Sequence, residues 1–284
     1  MKIAYFGLGK MGLGPAINLV RAGHEVQTAV HRNPFGAEKL REQGGIIASD
    51  PAEAVRDADV IISIVPDDAA LKSLFSQEKL LNALKPGAIL IDMTSCSAQA
   101  ICQVAERLQE YQVKVLDAPV SGGVKAADDG TMTMICAGKQ EVFDHARPIL
   151  DVIGEYIILV SERLGDGKKI KSLNNLLAAV DRAATGEIAR LAGQHDLDPR
   201  KVYDVISHSS GDSGTFRLTW QKLQNQDYRA TFTVAHMRKD VNLALDLAEE
   251  LHLPIAEAVQ DYYEKAMCFK DEDSCAVAKV NYEK

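Results

Sequence analysis

The chain has 284 residues, 46% of them hydrophobic, and a formal net charge of −8 from 40 acidic and 32 basic side chains. That is enough apolar material for two domains with separate cores, and the acidic balance argues against nucleic acid or an anionic membrane surface as a partner. No apolar run approaches the length of about 18 residues that suggests a membrane span, and a strand pattern rather than a charged leader comes first, so a cytoplasmic protein with no membrane partner is expected. The five cysteines (Cys96, Cys102, Cys136, Cys268 and Cys275) have no C-x-x-C spacing and read as reduced thiols. The histidines form no H-E-x-x-H or other ligand cluster, so no metal is expected.

In chain order, Ile3, Ala4, Tyr5 and Phe6 make an apolar segment suited to a strand buried on both faces of a parallel sheet. Gly7, Leu8, Gly9, Lys10, Met11 and Gly12 follow as G-x-G-x-x-G, and a helical run continues through Arg21. In that setting the glycines give a tight turn, a close approach to a pyrophosphate and close helix–strand packing, with the helix N-terminus holding the phosphates. A second strand pattern covers residues 25–30. After it stand His31, Arg32 and Asn33, with no carboxylate until Glu38. An acid there would hold the ribose hydroxyls of NAD and repel a 2′-phosphate, whereas Arg32 can pair with that phosphate and Asn33 can add a hydrogen bond. NADP is therefore the expected cofactor, with NAD possible.

Strand-like segments at 60–65, 88–91, 113–116, 132–136 and 156–160 alternate with helical patterns at 51–56, 98–110 and 140–152, which predicts a mostly parallel sheet covered on both faces. Ser121, Gly122 and Gly123 end a strand and offer a hydroxyl and two unhindered N–H groups suited to a carboxylate; taken alone, an ordinary turn in a loop-rich region is the commoner reading. The strand signal stops after residue 165. Residues 168–195 are compatible with one long helix, and 232–251, 254–270 and 274–280 have apolar spacing near 3.6. The expected architecture is an α/β Rossmann-like domain (1–162) and an all-α domain (163–284), joined by a long helix. At its start lies Gly165-x-Gly167-x-x-x-Lys171-x-x-Asn174-Asn175, in which Lys171 and Asn175 share a helix face and can converge on one small ligand. An isolated pair of this kind is usually a solvated face. Trp220, Tyr262 and Tyr263 read as helix-packing residues, and Ser207-His208-Ser209-Ser210-Gly211 lacks the partner acid of a nucleophile.

Taken together the motifs resemble those of the β-hydroxyacid dehydrogenase family, which includes 3-hydroxyisobutyrate dehydrogenase, tartronate semialdehyde reductase and the glyoxylate/succinic semialdehyde reductases. The resemblance covers essentially the whole length: the glycine turn, Asp117-Ala118-Pro119-Val120-Ser121-Gly122-Gly123 followed by Gly130-Thr131-Met132, the Gly165 to Asn175 segment, and Lys239-Asp240. It implies an NAD(P)-dependent enzyme interconverting a small 3-hydroxy acid and its semialdehyde or keto acid, with a carboxylate substrate and a homodimeric or homotetrameric assembly. It further implies Lys171 as general acid and base and Asn175 as the group holding the reacting oxygen. Ser121, Gly122 and Gly123 would grip the carboxylate. Ser95 would replace the family's threonine beside nicotinamide and substrate, and Val65, Pro66 and Lys239 would lie on the cofactor. The larger relative 6-phosphogluconate dehydrogenase has a histidine and a glutamate where this chain has Asn174 and Ala178, so hydride transfer without decarboxylation is expected. The stretch 211–216 departs from the family's commoner pattern, which leaves the substrate's side chain open. An imine reductase-like enzyme and a non-catalytic cofactor-binding module are the alternatives, and the presence of Lys171 argues against both.

Overall fold

The apolar runs of the N-terminal half become strands because alternate side chains are buried under different layers of helices. The structure, a computed structural model, describes residues 1–30 and 34–281. Its sheet comprises β1 (Lys2–Phe6), β2 (Glu25–Ala29), β3 (Ile46–Ala48), β4 (Val60–Ser63), β5 (Ile89–Asp92), β6 (Lys114–Asp117), β7 (Val120–Ser121), β8 (Met132–Ala137) and β9 (Gly154–Ser161). The order is β3-β2-β1-β4-β5-β6-β8-β7, with β9 beside β8. The first six strands are parallel. Strand β8 is antiparallel to β6 and β7 but parallel to β9. The β7–β8 connection holds only residues 122–131, and parallel pairing needs a crossover of about a dozen residues or more.

Ile3, Tyr5, Val60, Ile62, Ile89 and Ile91 face one layer with Ala16, Leu19, Ile149 and Leu150. Ala4, Phe6, Ile61 and Leu90 face the other with Val55, Leu71, Phe75, Ile101 and Val104. Each large side chain so buried contributes about 1.5–3 kcal/mol. These two layers make the Rossmann-like domain, and by internal contacts the compact unit it belongs to runs Met1–Lys171. Residues 123–129, expected to be loop, form the helix Gly123–Asp129, with Gly130 in the left-handed conformation at its C-cap. Strands β3 and β7 carry three and two residues, too few to show an alternation.

The second unit, Ser172–Lys284, is helical. It includes most of the continuous helix Asp166–Gln194, together with Pro199–Ser207, Gly214–Gln224, Val234–Leu245 and Pro254–Lys265. One core gathers Ala179, Ala183, Val234, Met237, Val241, Val259, Tyr263 and Val277; another gathers Ala192, Phe216 and Trp220. The run 232–251 is helical only over Val234–Leu245, where Thr233 caps the N-terminus through the His236 N–H. The run 254–270 turns from α to 3₁₀ at Ala266–Phe269, and 274–280 is 3₁₀ rather than α (Ser274–Asn281). Asp273 pins that last segment by accepting the Cys275 N–H, at 3.2 Å, and groups from Thr231. Among the described residues no helix is long and apolar enough to cross a membrane.

Candidate active site

Register across the sheet assembles the first part of the site. Phe6, Ser63, Asp92 and Asp117 pair in one row across β1, β4, β5 and β6. The strands are parallel, so the segments that follow them leave one edge, the place where open α/β sheets bind ligands. The glycine turn follows β1. Gly12 is the N-cap of the helix Leu13–Arg21, which has no side-chain cap and no acid in its first turn. Its positive end is therefore open to an anion. Val65 is half-buried and Pro66 exposed after β4. Ser95, half-buried, follows β5, and Ser121, also half-buried, lies in β7 with Gly122 and Gly123 exposed beside it. His31, Arg32 and Asn33 lie outside the described residues.

The loops after β4 and β5 are bonded together. The Val65 N–H donates to Thr94 Oγ1 at 3.1 Å, and Thr94 Oγ1 donates to Asp92 Oδ1 at 2.7 Å, the atom that also takes the Ser63 hydroxyl at 2.6 Å. A buried cation completes the cluster. Lys168 Nζ stands 2.8 Å from Asp92 Oδ2 and 2.9 Å from Asp117 Oδ1, and donates to the Asp92 carbonyl at 2.9 Å. Asp117 Oδ2 also accepts the N–H groups of Gly165 and Lys168, at 3.2 and 3.1 Å. Asp117 Oδ1 faces the ammonium without an aligned hydrogen bond, so that contact is one of charge. Burial draws the pKa of Lys168 down, but Asp117 and Asp92 outweigh it and hold it well above the ordinary lysine value. Burial, helped by the neighbouring Asp92 charge, holds the Asp117 carboxyl above the ordinary carboxylate pKa although Lys168 draws it down. Lys171 follows one helical turn later and is 8% exposed.

Further along the same helix, in the second unit, Asn175 is buried and its amide is fixed at both ends. Its Nδ2 donates to Asp240 Oδ2 at 2.5 Å, and its Oδ1 accepts from Asn174 Nδ2 at 3.1 Å. Asp240 is itself buried, with Lys239 Nζ 3.1 Å from its Oδ1.

Asp92, Asp117, Lys168, Thr94 and Asp240 were not assigned a role from the sequence. A polar residue closing an apolar strand run, as Asp92 and Asp117 do, is the available signal. Lys168 carries none. The cysteines are free; burial pushes the thiols of Cys136 and Cys275 up to about 12, which leaves them poor nucleophiles. Among the described residues no group of three or more His, Cys, Asp or Glu is placed to hold a metal ion.

The family model for the NAD binding domain of 6-phosphogluconate dehydrogenase matches residues 2–161, and that for the NAD-binding of NADP-dependent 3-hydroxyisobutyrate dehydrogenase matches residues 165–281. An L-threonate dehydrogenase of Pectobacterium atrosepticum is 33% identical over 98% of this chain and 93% of its own length. The crystal structure of a 3-hydroxyisobutyrate dehydrogenase from Salmonella typhimurium superposes with a TM-score of 0.90 at 29% identity, covering 98% of this chain and 99% of that one. A Streptomyces aurantiacus imine reductase, at 18% identity and a TM-score of 0.69 over 99% of both chains, shares the fold alone.

Proposed function

The chain belongs to the β-hydroxyacid dehydrogenase family, an NAD(P)-dependent oxidoreductase acting on CH–OH, and within that activity we propose that it interconverts a small 3-hydroxy acid and its semialdehyde or keto acid, using NADP(H) in preference to NAD(H). The glycine turn suits a dinucleotide: the helix end is uncapped, and a Cβ at Gly9 would meet only open space within 4 Å. Bound nicotinamide supplies or accepts the hydride. Lys171 donates a proton to the carbonyl oxygen in reduction and takes it back in oxidation. Asn175 holds the reacting oxygen, and the Ser121 hydroxyl with the N–H groups of Gly122 and Gly123 binds the carboxylate. Ser95 would lie beside nicotinamide and substrate. Val65, Pro66 and Lys239 border the cofactor, and Arg32, flanked by His31 and Asn33, recognises its 2′-phosphate.

The observation that carries this reading is the common row of Phe6, Ser63, Asp92 and Asp117. It sends the cofactor turn, the Ser95 segment and the Ser121 segment from one sheet edge, and Asp117 anchors the helix that bears Lys171. The same helix exposes Ile170, Leu173 and Leu177 at helical spacing, an apolar stripe suited to a second copy of the chain, and light scattering of the purified protein measures that assembly.

The test is a screen in both directions. L-Threonate is offered with NADP⁺ or NAD⁺, since the Pectobacterium relative makes a four-carbon hydroxy acid the first choice. Glyoxylate and the succinic, methylmalonic and tartronic semialdehydes are offered with NADPH or NADH. With the best substrate, Lys171→Ala should lower kcat by about 10²–10⁴-fold, the usual contribution of a positioned general acid. A variant keeping more than about a tenth of wild-type kcat would remove Lys171 from the proton-transfer step.

A further inference from the structure

Position 168 is one of the unspecified places in G-x-G-x-x-x-K, yet among the described residues of the first unit its lysine is the most deeply buried cation, 1% exposed between two aspartates that are 0% exposed. From this geometry we propose that Lys168 is a positioning residue: by tying the first turn of the helix Asp166–Gln194 to Asp92 and Asp117, it sets where the Lys171 amine stands relative to the segments of Ser95 and Ser121. The inference rests on Lys171 carrying the proton.

Lys168 joins two strand ends that each serve another part of the site. Asp92 takes the hydroxyls of Ser63 and Thr94, and through Thr94 it holds the Val65 segment. Asp117 takes two N–H groups from the helix start and begins the segment that leads to Ser121. No slack remains between helix and sheet: a Cβ at Gly167 would stand 2.6 Å from the Ile135 carbonyl and 2.8 Å from Asp117 Oδ2. Other polar side chains beside the cluster include Ser63, Thr94 and Cys96, whose sulfur is 3.9 Å from Asp92 Oδ2. Stability alone is a poor reason for such a group, because buried ion pairs can often be replaced by apolar side chains without loss. Direction is what an apolar side chain cannot supply. The ammonium engages three oxygens from two strands, and an i, i+3 step of about 4.5 Å along the axis carries any shift of that turn straight to Lys171. Displacing a reacting group by about 1 Å costs on the order of a hundredfold in rate.

Three variants test this: Lys168→Met, Lys168→Gln, and Lys168→Met combined with Asp117→Asn, which removes one buried anion along with the cation. For each, kcat, KM for NADPH and the melting temperature are measured beside Lys171→Ala, with far-UV circular dichroism to identify folded variants. In folded variants kcat should fall about tenfold or more while KM for NADPH stays within about threefold. The double variant should regain the melting temperature lost by Lys168→Met, but not the rate. A folded variant with kcat within about threefold of wild type overturns the proposal. So does recovery of kcat along with melting temperature in the double variant, or loss of the fold in all three, either of which would make Lys168 a stability residue. An active Lys171→Ala instead defeats the assignment of the proton to Lys171, so the two failures are told apart.

Discussion

Two neighbouring glycines of the cofactor turn should respond differently to the same added methyl group. At Gly12 a Cβ would lie 1.9 Å from the Gly7 carbonyl oxygen and 2.7 Å from Ile64 Cγ2. Ordinary contact begins near 3.4 Å, so the first helix must move by about 1.5 Å or the turn must open. Overpacking of that kind costs about 1–3 kcal/mol of stability, and it would displace the helix end proposed to hold the phosphates. At Gly9 a Cβ would meet nothing within 4 Å, so Gly9→Ala should melt within about a degree of wild type, inside the 2–4 °C that about 1 kcal/mol moves a domain of this size. In the proposed cofactor site the open space at Gly9 is where the pyrophosphate would approach. Each charge-assisted hydrogen bond lost there is worth about 1.5–3 kcal/mol, so the Kd for NADPH should rise on the order of ten- to a hundredfold. Calorimetric titration with NADPH and a thermal melt of both variants provide the assay. Gly12→Ala should lose stability and affinity together, and Gly9→Ala affinity alone. Wild-type NADPH affinity in Gly9→Ala would refute the placement of the cofactor at this turn.

Asp240→Ala removes the partner of the Asn175 amide and should lower kcat/KM on the order of ten- to a hundredfold; unchanged kinetics would show that Asn175 is oriented without it. Burial pushes the Asp273 carboxyl up, but Lys222, at 2.8 Å, and donors from Thr231 and Cys275 outweigh it and hold its pKa below the ordinary value. A depressed folded pKa gives stability that is present above the unfolded value of about 3.9 and lost as pH falls through the folded one. Wild type and Asp273→Asn should therefore differ in melting temperature at neutral pH and converge on acidification, and curves that stay parallel down to about pH 2 would contradict this. Arg32→Ala should weaken NADPH use on the order of ten- to a hundredfold while sparing NADH, which kcat/KM with each cofactor decides. A wild-type enzyme that uses NADH as well as NADPH would dispose of the reading of residues 31–33.

By itself the sequence determined whatever short-range pattern can encode. Apolar runs bounded by polar turns specified the central parallel strands, because side chains alternating between two buried faces leave the middle of β1, β4 and β5 apolar. Glycine spacing after the first run marked the cofactor turn, and the 3.6-residue period after residue 165 marked the helical half. Elements of fewer than two full periods, such as β3, β7 and the helix Gly123–Asp129, were left to tertiary context. The support of the site was also decided only in three dimensions. Lys168 reaches the Asp92 carbonyl across 76 residues, its N–H reaches Asp117 across 51, and Asn175 reaches Asp240 across 65. No spacing in the chain marks these partners, because strand register and helix packing bring them together. A lysine among unspecified motif positions reads as a solvated side chain until the sheet edge closes over it, and only then does the loss of water make its two carboxylate partners obligatory.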